Sequence, residues 1–79
     1  MELKLFHKTQ RDLASAVNQT IDCYWDSEIS EQEMIDTVKA LYENNPTKFL
    51  KDQSFTKIIQ QQCGKRRLEV VKKILNIDL

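Results

Sequence analysis

Apolar residues recur along most of this chain at intervals of three and four, the spacing that places them on one face of an α-helix. The first such run comprises Leu13, Val17, Ile21 and Tyr24. Thr9 is a suitable N-cap for it, because Asp12 follows three residues later as in a variant capping box. The pattern predicts a first helix over approximately residues 10–27, which the polar residues after Trp25 bring to an end.

The second run has the most complete helix start in the chain. Ser30 stands at the N-cap position and Glu33 follows three residues later, which is the capping-box spacing. Its apolar face consists of Met34, Ile35, Val38, Leu41 and Tyr42. Pro46 disfavours helical backbone at the residue before it. We therefore expect a second helix over approximately residues 31–44.

Two further apolar runs meet at Gly64, the only glycine among 79 residues. With Ser54 as N-cap and Gly64 as C-terminal stop, they predict helices over approximately residues 55–63 and 65–76. The alternative is one continuous helix, at a cost of about 1 kcal/mol for an interior glycine. A short helical turn is expected over residues 47–51, before the third helix.

The first eight residues alternate weakly between apolar and polar positions, which favours an extended arm. Such an arm would pack on the helices, pair with the C-terminal tail at 76–79, or pair with a second copy of the chain. A single glycine and a single proline argue against a turn-rich β fold. The predicted fold is all-α: a compact bundle of about four helices with a short extended N-terminal arm, in one small domain spanning residues 1–79.

The size of the chain limits its hydrophobic core. A domain of this length buries only about 60–65% of its unfolded surface, so small domains often depend on a disulfide, a metal or self-association. Cys23 and Cys63 are too few and too far apart for a disulfide framework, so we expect reduced thiols and a cytoplasmic location. No apolar run approaches the roughly 18 residues of a membrane span, and we expect neither a signal peptide nor membrane association.

Charge is unevenly distributed, although the formal net charge is zero. Residues 1–46 carry a net charge of −5 and residues 47–79 carry +5. A split of this kind indicates a charged partner, but the simpler interpretation is that the two halves pack together and cancel. The cations of the predicted last helix are Lys65, Arg66, Arg67, Lys72 and Lys73. Three of them stand at the helix start, where the helix dipole favours anions instead.

Residues that could carry catalysis are few. His7 is the only histidine, and no spacing brings it to Cys23 or Cys63 in a nucleophile–histidine arrangement. No Cys-x-x-Cys pair suggests a metal site, and one glycine excludes a glycine-rich phosphate loop. Asp22 and Asp26 share a helix face, for which a solvated acidic surface is the simpler interpretation. We therefore expect a protein that is not an enzyme and holds no cofactor or metal.

Two functions of different classes remain. Trp25 lies beside the core face of the first helix, so it either caps the core or anchors a protein interface. The leading hypothesis is a non-catalytic protein-interaction or regulatory module that self-associates, for example as a homodimer. The alternative is a DNA-binding regulator in which residues 55–75 form a helix-turn-helix-like hairpin and residues 65–76 supply its basic, anion-binding face. Gln60 and Lys65 fit that motif poorly, and zero net charge is unusual for a DNA-binding protein.

Four segments together cover most of the chain: FHKTQRDLASAVN, YWDSEISEQEMI, LYENN and FTKIIQQQCGKRRLEVVKKIL. With these segments the chain resembles a family of small, uncharacterised proteins of about this length from Firmicutes. The resemblance implies a bacterial, cytosolic, stand-alone protein. It brings no activity or ligand with it, so no functional residue is carried over from the family.

Overall fold

Four helices and one short hairpin follow each other along residues 4–52 and 54–76, which the computed structural model describes. The helices are α1 (Gln10–Trp25), α2 (Glu31–Asn44), α3 (Pro46–Phe49) and α4 (Lys57–Leu75). Between α3 and α4, β1 (Leu50–Lys51) pairs antiparallel with β2 (Ser54–Phe55). The predicted mostly helical fold with about four helices is confirmed, and the small hairpin was not predicted.

Two of the three predicted N-caps form. The Thr9 hydroxyl accepts a hydrogen bond from the Asp12 backbone N–H at 3.1 Å, and the Ser30 hydroxyl accepts one from the Glu33 N–H at 3.1 Å. Each bond satisfies a backbone donor that has no partner inside the helix. The bounds of α2 are those predicted, residues 31–44.

The end of α1 lies two residues before the predicted one. Its last helical residue is Trp25, because Ser27 adopts a left-handed conformation with φ of 62°. The Glu28 N–H then reaches back to the Cys23 carbonyl at 2.8 Å, and the Ser27 N–H reaches the Tyr24 carbonyl at 3.0 Å. These two bonds define a Schellman motif, which terminates the helix and sets the direction of the loop after it.

The short third helix begins earlier than predicted. Pro46 is its first residue, where a fixed φ and a missing N–H suit a helix start. The predicted helical turn over 47–51 is wrong at its end, because Leu50 and Lys51 leave the helix to form β1. Pairing of Leu50 with Phe55 then closes the hairpin.

The start of α4 also differs from the prediction. Phe55 belongs to β2, so the helix begins at Lys57 with Thr56 rather than Ser54 at its N-cap position. The Thr56 side chain makes no capping bond; its hydroxyl donates to the Lys48 carbonyl at 3.0 Å. Strand pairing, which local helix signals do not report, accounts for the shift.

Gly64 interrupts α4. Its φ of 79° and ψ of 167° are not helical, so α4 consists of a first segment (57–63) and a second segment (65–75). The predicted break is confirmed, and the alternative of a regular continuous helix is not observed. Asn76, the last residue of the predicted fourth helix, is instead a left-handed C-cap with φ of 55°.

The core is built mainly by α1 packed against α4 and α2. Its buried side chains include Leu13, Val17, Ile21, Met34, Val38, Leu41, Phe49, Phe55, Ile59, Cys63 and Val71. In the second segment of α4 only Val71 is fully buried. The other apolar residues predicted there are half-buried against the core: Leu68, Val70, Ile74 and Leu75.

Hydrogen bonds to Asn45 hold the N-terminal arm. The buried Asn45 amide donates to the Leu5 carbonyl at 2.6 Å and to the Leu41 carbonyl at 2.8 Å, while its oxygen accepts from the His7 N–H at 3.0 Å. Leu5 and Phe6 stay exposed. Residues 4–8 contain no strand, and the expected pairing with the C-terminal tail lies outside the described residues.

Candidate functional site

Arg67 and Asp22 form an ion pair that joins α4 to α1. Arg67 Nε donates to Asp22 Oδ1 at 3.0 Å, and Nη2 donates to Oδ2 at 2.9 Å, so the guanidinium grips the carboxylate with two parallel bonds. Both side chains remain partly exposed, at 30% and 44%. The acidic and basic halves of the chain therefore meet here, through a carboxylate that α1 supplies.

Arg67 also satisfies the end of the first segment of α4. Because Gly64 breaks the helix, the preceding carbonyls lose their helical partners. Arg67 Nη1 donates to the Cys63 carbonyl at 3.1 Å, and Asn18 Nδ2 of α1 donates to the Gln62 carbonyl at 2.8 Å. These two side chains link the break in α4 to α1. The guanidinium of Arg67 is therefore occupied by hydrogen bonds within the protein.

Trp25, predicted separately as an interface anchor, lies against the two arginines. The Arg66 guanidinium carbon is 5.1 Å from the centroid of the Trp25 rings and that of Arg67 is 5.9 Å away, both within cation–π range. The indole is 41% exposed. Trp25 and two of the predicted cations, Arg66 and Arg67, thus form one surface, which we call the Trp25–Arg66 surface.

The remaining cations of the second segment point outward. Lys65, Arg66 and Lys73 are exposed and Lys72 is half-buried. Within the described residues, none of the four has an ion pair. Glu69 lies three or four positions from each of them, and is also exposed. By helix geometry the four cations surround a single carboxylate. This part of α4 therefore carries a net positive charge.

An acidic segment adjoins Trp25 on the other side, in the loop that follows α1. Asp26 and Glu28 are exposed there. Burial, and then the negative charges of Glu28, Asp26 and Asp22, raise the pKa of the Cys23 thiol above its ordinary value. Asp26 and Glu28 therefore place negative charge directly after Trp25 in the chain, next to the Trp25–Arg66 surface.

The residues considered for catalysis lie in different surroundings. His7 Nε2 is 2.7 Å from the Lys4 carbonyl, and the His7 backbone is held by Asn45. Burial raises the pKa of the Cys63 thiol to about 11, although the nearby Arg67 charge lowers it, and its sulfur faces the Ala14 carbonyl at 3.9 Å. Among the described residues, no group of three or more histidine, cysteine or acidic side chains converges as a metal site would require.

The helix-turn-helix comparison has mixed geometric support. Gly64 separates two helical segments, and the second presents exposed cations, as the motif requires. Lys65 is exposed rather than tucked inward. Gln60 is occupied by a hydrogen bond from its side-chain amide to the Phe55 carbonyl at 2.6 Å. Arg67 is withdrawn from the basic face by Asp22.

Sequence reasoning missed three polar residues that organise these contacts. In the sequence, Asn45 is distinctive only as the residue before Pro46, and no pattern gives Asn18 a role. Asp22 was noted for its spacing from Asp26, whereas its partner is Arg67, 45 positions away. The sequence does contain one signal: two adjacent arginines, Arg66 and Arg67, in a chain whose first 46 residues are acidic. Neighbouring residues in the sequence do not specify which carboxylate each arginine contacts.

Comparisons with known proteins place the chain without giving it an activity. No curated protein and no solved structure matches it. Along the described residues, no helix has the length and apolar character that crossing a membrane requires. A family model described as conserved hypothetical protein matches residues 4–76, which is nearly the whole chain. The expected membership of a small family without an assigned activity is thereby confirmed: the chain belongs to this family of conserved hypothetical proteins.

Proposed function

We propose that this protein is a non-catalytic interaction module that forms a homodimer through the Trp25–Arg66 surface. The observation that carries the proposal is the exposed indole of Trp25 held against Arg66, with acidic residues on one side and unpaired cations on the other. Tryptophan and arginine are the residue types most enriched among interface hot spots. The two free cysteines suit a reducing cytoplasm, which we include in the proposal.

The surface is preorganised, which favours binding. Arg67 lies 5.9 Å from the Trp25 rings and is itself held by Asp22 and by the Cys63 carbonyl. A large side chain supported in this way loses little conformational entropy when a partner covers it. Tight association of this kind needs no rearrangement of α1 or α4.

A second copy of the chain is the partner that the charges favour. Asp26 and Glu28 follow Trp25 directly, while Arg66 and Lys73 lie two turns apart on one stripe of α4. In a two-fold symmetric interface the acidic segment of each copy faces the cations of the other. Val70, which is half-buried and lies between Arg66 and Lys73 on that stripe, also leaves surface that a partner would cover.

Sedimentation velocity over a range of protein concentrations tests this proposal. We expect a concentration-dependent dimer that weakens at high salt, because exposed ion pairs are screened. Trp25→Ala and Arg66→Glu should each shift the equilibrium to monomer, whereas Lys57→Glu, which changes an exposed cation outside the surface, should not.

A charge exchange provides the decisive arm. Arg66→Glu and Glu28→Arg are each expected to dimerise poorly alone and to form a heterodimer when mixed, since each restores the other's complement. A strictly monomeric wild-type protein at low salt and high concentration would contradict self-association. If neither substitution changes dimerisation, the interface lies elsewhere on the protein.

A second candidate function is DNA binding by the second segment of α4. The specific observation in its favour is that Lys65, Arg66 and Lys73 are exposed on a helical segment that follows the break at Gly64. It predicts binding to duplex DNA that declines steeply with salt, and that weakens in Arg66→Ala more than in Arg67→Ala. Absence of duplex binding at low salt would eliminate this candidate.

A further inference from the structure

A groove of about 440 Å³ opens between β2 and α4, and neither Trp25 nor Arg66 is among the residues that line it. Its apolar part is formed by Phe55, which is buried, and Leu68, which packs against the core. Phe55 is held in place by strand pairing with Leu50 and by the bond from Gln60 to its carbonyl. The apolar part is therefore fixed before anything binds.

Two lysines line the same groove. Lys65 and Lys72 are seven residues apart on the same side of α4, about 10.5 Å along the helix axis. Neither has an ion pair within the described residues. Glu69 lies between them in the lining, one turn from each. The groove thus has an apolar centre, a positive group towards each end, and one carboxylate between the two.

From this arrangement we propose that the groove binds a small amphipathic monoanion, a molecule with an apolar or aromatic body and one carboxylate or sulfonate group. The body would cover Phe55 and Leu68, and the anionic group would pair with Lys72 or Lys65. Glu69 disfavours a second anionic group between the lysines, which selects a single charge. The volume lies in the range of about 300–1,000 Å³ typical of small-molecule sites.

The probe for this site is 8-anilinonaphthalene-1-sulfonate, followed by amide chemical shifts and fluorescence on the full chain. We expect shifts concentrated at residues 55 and 65–72 and a Kd on the order of 10–100 μM for a ligand of this size. N-phenyl-1-naphthylamine, which lacks the sulfonate, and methanesulfonate, which lacks the aromatic body, should each bind at least about tenfold more weakly.

Substitutions locate the site. Lys72→Glu is expected to weaken binding about fivefold or more, while Lys73→Glu, the same charge change one residue along, should leave the Kd within about twofold. Leu68→Ala should also weaken it; if that variant fails to fold, Lys65→Glu supplies the second arm. Equal losses in Lys72→Glu and Lys73→Glu, equal binding of the uncharged analogue, or shifts centred on Trp25 would overturn the proposal.

The groove and the proposed dimer are separable in these experiments. Trp25→Ala should abolish dimerisation and leave binding of the sulfonate unchanged, whereas Lys72→Glu should do the reverse. If binding disappears in Trp25→Ala monomers, the groove as an independent site is refuted while the dimer proposal stands.

Discussion

Arg66 and Arg67 are neighbours of identical type, yet they occupy different environments. Successive residues on a helix point about 100° apart, so one guanidinium lies over Trp25 at the surface while the other reaches Asp22 and the Cys63 carbonyl. The cationic start of a helix, which the dipole disfavours, is thus offset at Arg67 by an internal carboxylate. At Arg66 the offset comes from the indole.

We expect Arg67→Ala to destabilise the fold by about 1–2 kcal/mol. It removes a partly solvated ion pair, the bond to the Cys63 carbonyl and the contact with Trp25, of which the hydrogen bond contributes about 1 kcal/mol and the exposed pair less. Urea denaturation measures the change. Arg66→Ala is the matched control, expected within about 0.5 kcal/mol of wild type; equal losses in the two variants would refute the assigned roles.

Cys63 should make stability depend on alkaline pH. Because burial raises the pKa of its thiol from 9.0 to about 11, the neutral form is favoured in the folded state. Its contribution is complete below the ordinary pKa and is lost as pH rises through the folded value. Denaturation measured between these two pKa values should show a steeper fall in wild type than in Cys63→Ala. Parallel profiles would show that the thiol is not responsible.

At the scale of elements, α4 consists of two helical segments joined at a single non-helical residue, Gly64. Gly64 has φ of 79° and ψ of 167°, a region open essentially to glycine alone. The carbonyls of Gln62 and Cys63, just before the break, accept hydrogen bonds from side chains, from Asn18 of α1 and from Arg67 of the second segment respectively. The break redirects the second segment, and this determines which of its side chains meet Trp25 and which line the groove.

Gly64→Ala should cost about 1–3 kcal/mol, although an added Cβ would meet no atom within 4 Å. The cost is backbone strain rather than a clash. Gln61→Ala is the control: this exposed residue has helical backbone, so its substitution should be close to neutral. Thermal and urea denaturation measure both. A neutral or stabilising Gly64→Ala would mean that the two segments can merge into a regular helix.

At the scale of the whole molecule, Asn45 joins three separate parts. Its side chain binds the arm at Leu5 and His7 and the end of α2 at Leu41, and its backbone carbonyl accepts from Lys48 in α3. Because Leu5 and Phe6 remain exposed, the arm is attached to the helices by hydrogen bonds to this buried amide more than by burial of its apolar side chains. Asn45 therefore supplies hydrogen bonds that hold the first described segment, alongside the contact of the Phe6 ring with Lys48 Nζ at 4.9 Å.

Asn45→Ala should destabilise the protein by about 2–3 kcal/mol, since several buried partners lose their hydrogen bonds at once. Hydrogen exchange at the His7 amide should accelerate at the same time, because that N–H donates to Asn45. Asn44→Ala is the control: its exposed amide donates only to the Ala40 carbonyl among described partners. Unchanged exchange at His7 would show that the arm is held by other contacts.

The sequence by itself determined the local features of this protein. The 3.6-residue period located α1 and α2 and their buried faces, Thr9 and Ser30 marked their starts, and Gly64 marked the break in α4. These features follow from interactions between residues at most a few positions apart, which a pattern reports directly. The family resemblance also follows from the sequence alone, because it depends on the linear order of residues.

Only the tertiary structure decided which distant groups meet. The bond from Arg67 to Asp22, the stacking of Arg66 on Trp25 and the link from Asn45 to Leu5 join positions about 40 or more apart. The hairpin that moved Phe55 out of the predicted helix is likewise a pairing, not a local preference. Periodicity tells which face of a helix is apolar, but the rotation and crossing of packed helices decide which polar side chains at the edge of that face come within reach of each other.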